Sequence, residues 1–199
     1  MRKAILIHGW TNKDAFYNPK YPTPSNGHWL PWLSKQLIIR DIHAIAPEMP
    51  HSYYPEYEIW KTELERFPLD EETILVGHSC GGGFITRYLS ENNVKVGKVV
   101  LVAPWLGITD ETNPEKDEKL EFFDFEIDQK LAEKTKELVL FESTNDMKVI
   151  QESINILKKK IDNMKVVTLK DKGHFTQKSL GGVEFPELLN EIVNDKEDK

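Results

Sequence analysis

The residues Gly77-His78-Ser79-Cys80-Gly81 set a serine between two glycines where the pattern of the chain changes. Before them, Ile74, Leu75 and Val76 form a short apolar run that suits a strand buried on both faces. After them, Phe84, Ile85, Tyr88 and Leu89 recur at helical spacing. Strand, sharp turn and helix is the setting in which G-x-S-x-G carries a nucleophile. Such a turn strains the serine backbone, often into positive φ, and small neighbours relieve the crowding. Gly82 and Gly83 let the first helical turn approach the sheet. The hydroxyl then stands above the strand ends, near a helix N-terminus where developing negative charge is favoured. A loop with a capping serine would use similar residues, but the flanking elements favour the nucleophile. The phosphate-cradling pattern Gly-x-x-x-x-Gly-Lys-Ser/Thr is absent.

A serine nucleophile needs a base and an acid, and the elements that follow nominate them. Short apolar runs at Ala4–Ile7, Ile42–Ala46, Thr73–Val76, Val96–Ala103, Leu138–Phe141 and Val166–Leu169 read as six strands. Helical patterns fall between most of them: Trp29 to Ile38, Pro55 to Phe67, the segment after Cys80, Ile127 to Thr135, and Met147 to Ile161. A last helix is expected over Val183 to Val193. This alternation predicts an α/β fold: a mostly parallel sheet of about six strands with helices on both faces. Sites in such sheets lie beyond the carboxyl ends of the strands. The expected chain order is nucleophile, acid, base. After the fifth strand comes Glu142-Ser143-Thr144-Asn145-Asp146, and after the sixth Lys170-Asp171-Lys172-Gly173-His174. Asp146 is assigned as the acid and His174 as the base, with Asp171 and Glu142 as nearby acidic competitors. His174 would take the Ser79 proton, and Asp146 would fix the imidazole tautomer. The other histidines, His8, His28, His43, His51 and His78, precede or abut the nucleophile and are poorer candidates; His43 reads as structural.

The first strand ends in His8-Gly9, which suits an oxyanion loop, with the backbone N–H groups of Trp10 and Cys80 as the two donors. The Cys80 side chain, at the first helical position, should point away from the cleft, so a thiol nucleophile is disfavoured. Thr11 to Gly27 has no clear period and carries Pro19, Pro22 and Pro24 with Phe16, Tyr17 and Tyr21. It reads equally well as a stiffened surface loop or as a partial lid. Trp29 and Trp32 suit core or pocket-rim packing. Leu120, Phe122, Phe123 and Phe125 suit either a cluster at the site mouth or core packing. Lys158 to Lys160 complement a helix C-terminus as a solvated face. Gly107 to Glu121 reads as a solvated excursion, and Asn194 to Lys199 should fray.

With 199 residues, 39% hydrophobic and 30% charged, the chain is expected to form one domain, 1–199, that buries roughly 70% of its unfolded surface. A net charge of −7 disfavours nucleic-acid binding. No apolar run approaches the roughly 20 residues that span a bilayer, so no membrane partner is expected. Met1-Arg2-Lys3 precedes only four apolar residues before His8, too few for a signal-peptide core, and a cytoplasmic location is expected. Cys80 is the single cysteine, which rules out an internal disulfide and a cysteine-based zinc site. No His/Asp/Glu cluster has ligand spacing, so neither metal nor cofactor is expected.

On these motifs the chain resembles the α/β-hydrolase superfamily, and within it the small, nearly capless serine hydrolases of the YdeN and retinoblastoma-binding-protein-nine type. The likeness runs nearly end to end. It is carried by I-L-I-H-G at 5–9, H-W-L-P-W-L at 28–33, G-H-S-C-G-G at 77–82, S-T-N-D at 143–146, G-H-F-T-Q at 173–177 and F-P-E-L-L at 185–189. It implies the same Ser79, Asp146, His174 triad, no large cap domain and a carboxylesterase-like activity. Three departures stand out: a long 11–27 loop, Cys80 where a larger apolar residue is usual, and Met147 where proline often follows the acid. No Leu-x-Cys-x-Glu motif is present, so retinoblastoma binding is not implied. The expected function is hydrolysis of small acyl esters through an acyl-enzyme, by a monomer or small homo-oligomer. A catalytically weak binding scaffold and an aminopeptidase-like amidase are the alternatives.

Overall fold

The β-branched apolar runs form a single sheet. In the computed structural model, which describes residues 1–109 and 121–194, the strands are β1 (Lys3–Ile7), β2 (His43–Ile45), β3 (Thr73–His78), β4 (Val96–Val102), β5 (Thr135–Ser143) and β6 (Lys165–Leu169). Their order is β2-β1-β3-β4-β5-β6, and every neighbouring pair is parallel. All six residues of β3 are buried. Successive side chains of a strand point to opposite faces, so both faces of the sheet centre are covered. β6 is the contrasting edge, with Lys165, Val166 and Thr168 exposed.

The helices are α1 (Lys13–Tyr17), α2 (Leu30–Ile38), α3 (Tyr57–Leu64), α4 (Cys80–Glu91), α5 (Lys148–Lys160), α6 (Gln177–Leu180) and α7 (Pro186–Val193). Two aromatic clusters anchor them. Phe185, ahead of α7, packs against Trp29, Phe141 and Phe175, the last in a stacked pair. Trp60 of α3 meets Phe84 of α4 and Phe122 edge-on. Trp29 is thus core, and Trp32 is partly buried against it. Phe122 is buried and Phe123 and Phe125 pack beside the core, while Leu120 lies outside the described residues. So do 110–120 of the expected excursion and 195–199 of the expected frayed end.

Two expectations need correction, and one short element was not expected. Ile127 to Thr135 is not an α-helix. Ile127 and Leu131 are buried four apart, which mimics helical spacing. Only Leu131–Lys134 forms a 3-10 turn, and Thr135 already pairs with Val96 as the first residue of β5. The 11–27 segment is not irregular throughout. Asn12 accepts a hydrogen bond from the Ala15 N–H and starts α1, and Pro24–Asn26 forms a 3-10 turn. Ahead of the last helix lies a further short one, α6, closed at its start by the Thr176–Ser179 capping box and at its end by Gly181 at φ 77.

The register decides where chemistry can gather. Ile7 pairs with Gly77, Gly77 with Leu101, Leu101 with Leu140, and Leu140 with Val166. The strands therefore end near one line, and the loops after β1, β3, β5 and β6 share one edge of the sheet.

Candidate active site

Ser79 links β3 to α4 with φ 53 and ψ −118, a region that costs a non-glycine residue on the order of 1–3 kcal/mol. Its surroundings hold it there. Its N–H donates to the Val102 carbonyl, and its own carbonyl accepts from Gly82, Gly83 and Trp105 N–H groups. The motif glycines are required by close approach. A Cβ on Gly77 would lie 2.6 Å from the Gly81 carbonyl carbon, and one on Gly81 would lie 2.4 Å from the Ile7 oxygen.

The loops after β5 and β6 bring Asp146 and His174 together. His174 Nδ1–H donates to both Asp146 oxygens at 3.1 Å. The Asp146 side chain is fully buried and also accepts from the Met147 N–H at 2.7 Å. With its proton on Nδ1, the neutral ring keeps the Nε2 lone pair for a base. Among the described residues neither acidic competitor bonds to His174, whose carboxylate partner is Asp146. Glu142 pairs with Lys158 and accepts from Thr168, which also takes Lys158 out of a purely solvated face. Asp171 joins the loop through its backbone N–H, which donates to Thr144.

The S-T-N segment ahead of Asp146 clamps the His174 loop. Asn145 Oδ1 accepts from the Ser143 hydroxyl at 2.9 Å and from the Gly173 N–H at 2.7 Å. Ser143 Oγ in turn accepts from the Lys172 N–H at 2.9 Å. Sequence reasoning missed this clamp, although S-T-N-D was visible as a motif.

Histidines that ranked poorly as bases have other places. The His78 ring donates through Nε2–H to the His174 carbonyl at 2.9 Å. Burial, then the charges of His174 and His28, hold His78 well below the usual histidine range. His8 Nδ1–H donates to the Gly9 carbonyl, and its Nε2 accepts from the Met49 N–H, both at 2.8 Å. Burial pushes His8 down as well, so it stays neutral and fixes the Gly9–Trp10 peptide. That peptide is trans, so the Trp10 N–H points opposite to the fixed carbonyl. A Cβ on Gly9 would sit 3.1 Å from Ser79 Cβ and 3.6 Å from Ser79 Oγ, so this loop packs on the serine. Cys80, the other expected donor, is the first residue of α4, where N–H groups lack intrahelical acceptors. Its side chain is buried, and burial pushes the thiol up.

Ser79 and His174 line one cavity of about 290 Å³. The 11–27 segment supplies much of its wall, including Phe16, Tyr21, Pro22 and Pro24. That wall is tied down: Trp10 Nε1–H donates to the Tyr53 carbonyl, the Tyr17 and Tyr53 hydroxyls meet at 3.0 Å, and the Ser25 N–H donates to Glu48. No Asp, Glu, Lys or Arg among the described residues lines the cavity. Among the described residues, no three His, Cys, Asp or Glu side chains form a group able to hold a metal. No helix among them is long and apolar enough to cross a membrane.

Comparison with known proteins agrees with this geometry. The Bacillus subtilis (strain 168) protein YdeN is 31% identical over 106 residues, covering 51% of this chain and 50% of YdeN. The chain therefore spans about half the length of that curated relative. The crystal structure of the ydeN gene product superposes with a TM-score of 0.79 at 25% identity, over 96% of this chain and 97% of that one. Est1E from Butyrivibrio proteoclasticus, solved with ferulic acid bound, shares the fold at a TM-score of 0.65 and 14% identity, over 96% of this chain and 88% of that one. The family model described as serine hydrolase matches residues 4–192, and the chain belongs to that serine hydrolase family, with an α/β-hydrolase fold of the YdeN type.

Proposed function

We propose that this protein cleaves esters of small, uncharged acyl groups through an acyl-enzyme. The observation that carries the reading is a buried Asp146 carboxylate held by His174 Nδ1–H, while His174 shares a cavity with a serine in strained backbone. In the first half-reaction Ser79 Oγ attacks the ester carbonyl and His174 Nε2 takes its proton. The C–O bond to the alcohol then breaks, and His174 returns the proton to the departing oxygen. In the second, water attacks the acyl-serine with His174 again as base; the bond to Ser79 Oγ then breaks, His174 returns the proton to that oxygen, and the carboxylic acid leaves. Asp146 stabilises the imidazolium formed in each half.

The N–H groups of Trp10 and Cys80 would receive the oxyanion, each worth roughly 3 kcal/mol of barrier by the usual effect of such donors. The peptide orientation set by His8 supports the first, and the helix start at Cys80 supports the second. The uncharged cavity wall supports an uncharged acyl group, because a buried charge without a partner is costly. The test is labelling by a fluorophosphonate together with p-nitrophenyl acetate turnover, on wild type and Ser79→Ala. Labelling and turnover in wild type, both lost in the variant, are expected. A folded wild type that neither labels nor turns over would defeat the proposal.

A further inference from the structure

A second, open groove of about 620 Å³ runs beside the cavity along α6, lined by His28, Thr176, Gln177, Lys178, Gly181 and Gly182. His28 and Thr176 line both spaces, so the two meet there. Their chemistry differs. Among the described residues no Asp, Glu, Lys or Arg lines the cavity, whereas the groove carries Lys178, which no carboxylate among them pairs. The groove also carries a positioned donor. His28 Nδ1 accepts from the Gln177 N–H at 3.2 Å, so the neutral ring bears its proton on Nε2. Among the described residues no protein group accepts from that Nε2–H. Partial desolvation and the neighbouring His174 both disfavour protonation of His28, in line with the acceptor role of its Nδ1. The His28 backbone is itself held at φ 54. Gly181 and Gly182 leave the groove bare: a Cβ on either would meet nothing within 4 Å.

We propose that this groove is the leaving-group subsite and that it selects alcohols bearing a carboxylate, which lies between Lys178 and the His28 Nε2–H. The proposal rests on the ester-hydrolase reading above. The acyl group fills the uncharged cavity, and the alcohol side of the ester crosses the His28–Thr176 boundary. When Ser79 Oγ bonds to the acyl carbon and the C–O bond breaks, the proton on His174 passes to the alkoxide and a hydroxy acid leaves through the groove.

The test compares two butyryl esters of similar shape, that of 3-hydroxybutyrate, an anion, and that of sec-butanol, a neutral alcohol. At low salt, wild type should favour the anion in kcat/KM by about two- to fivefold, the range of an exposed ion pair. The preference should shrink at 0.5 M NaCl. Lys178→Glu should invert it, while Lys159→Glu, on the far end of α5, should leave it as in wild type. Gly182→Leu, at a position without positive φ, should raise KM for the 3-hydroxybutyrate ester with matching Tm. Equal kcat/KM for the two esters, a preference indifferent to Lys178→Glu, or an unchanged KM in Gly182→Leu would overturn the subsite. If neither ester nor the fluorophosphonate reacts, the hydrolase reading fails and the subsite with it.

Discussion

Asn145 offers a direct way to separate holding the base from being the base. Its Oδ1 accepts two hydrogen bonds, from Ser143 and from Gly173, one residue before His174. Its amide nitrogen has no partner among the described residues, so only the acceptor matters. Asn145→Leu removes that acceptor and leaves two donors unpaired. Each such bond contributes about 0.5–1.5 kcal/mol net, and Asn145 is exposed, which favours the lower half. The working register of the His174 loop should therefore lose about 1–2 kcal/mol, or about five- to thirtyfold in kcat/KM. Asn145→Asp keeps the acceptor and should recover most of the rate. Its added negative charge near His174 favours the imidazolium, so the acid limb of the pH–rate profile should move upward. The assay is p-nitrophenyl acetate turnover from pH 5 to 8, beside fluorophosphonate labelling rates and thermal melts. Asn145→Leu with wild-type kcat/KM, or activity that merely tracks the folded fraction, would refute the clamp.

Asp146→Asn should retain the fold and lower kcat by about 10⁴, because the amide no longer fixes the Nδ1–H tautomer; a fall below tenfold would remove Asp146 from the acid role. His8 and His78 are buried and held below the usual histidine range. The unfolded chain therefore binds protons first as pH drops. Their contribution is intact above about pH 6.5 and is lost as pH falls toward the folded values, by up to about 1.4 kcal/mol per pH unit for each group. Urea midpoints that stay flat from pH 7 to 5 would contradict this. Cys80 should resist thiol reagents in the folded protein and react once denaturant is added, with activity untouched beforehand; rapid native modification would show that its burial is wrong.

The strands were legible because burial on both faces leaves short runs of Ile, Leu and Val. The gathering of Ser79, Asp146 and His174 at one edge of the sheet was legible because each follows a strand end within a local motif. What escaped were contacts between distant residues. The His78 bond to His174 crosses 96 positions and the His28 bond to Gln177 crosses 149, and neither leaves a local pattern. Short elements hid differently. Asn12 ahead of α1 and the Thr176–Ser179 pair ahead of α6 are readable start signals, but each opens a helix too short to show a period. At Ile127 to Thr135 the period itself misled, since two buried residues four apart fit a 3-10 turn as well as a helix.

The sheet order has a consequence for the chain as it is synthesised. From β3 onward each new strand adds outward, β4 on β3, β5 on β4 and β6 on β5. The serine therefore emerges with its elbow long before residues 170–174 exist to form the loop that carries His174. On the proposed mechanism, a nascent or prematurely terminated chain holds an ordinary alcohol, because the group that would activate it follows the outermost strand. Reactivity then appears as a late checkpoint of synthesis, and a ribosome stalled before β6 would release no stray acyl-transfer activity.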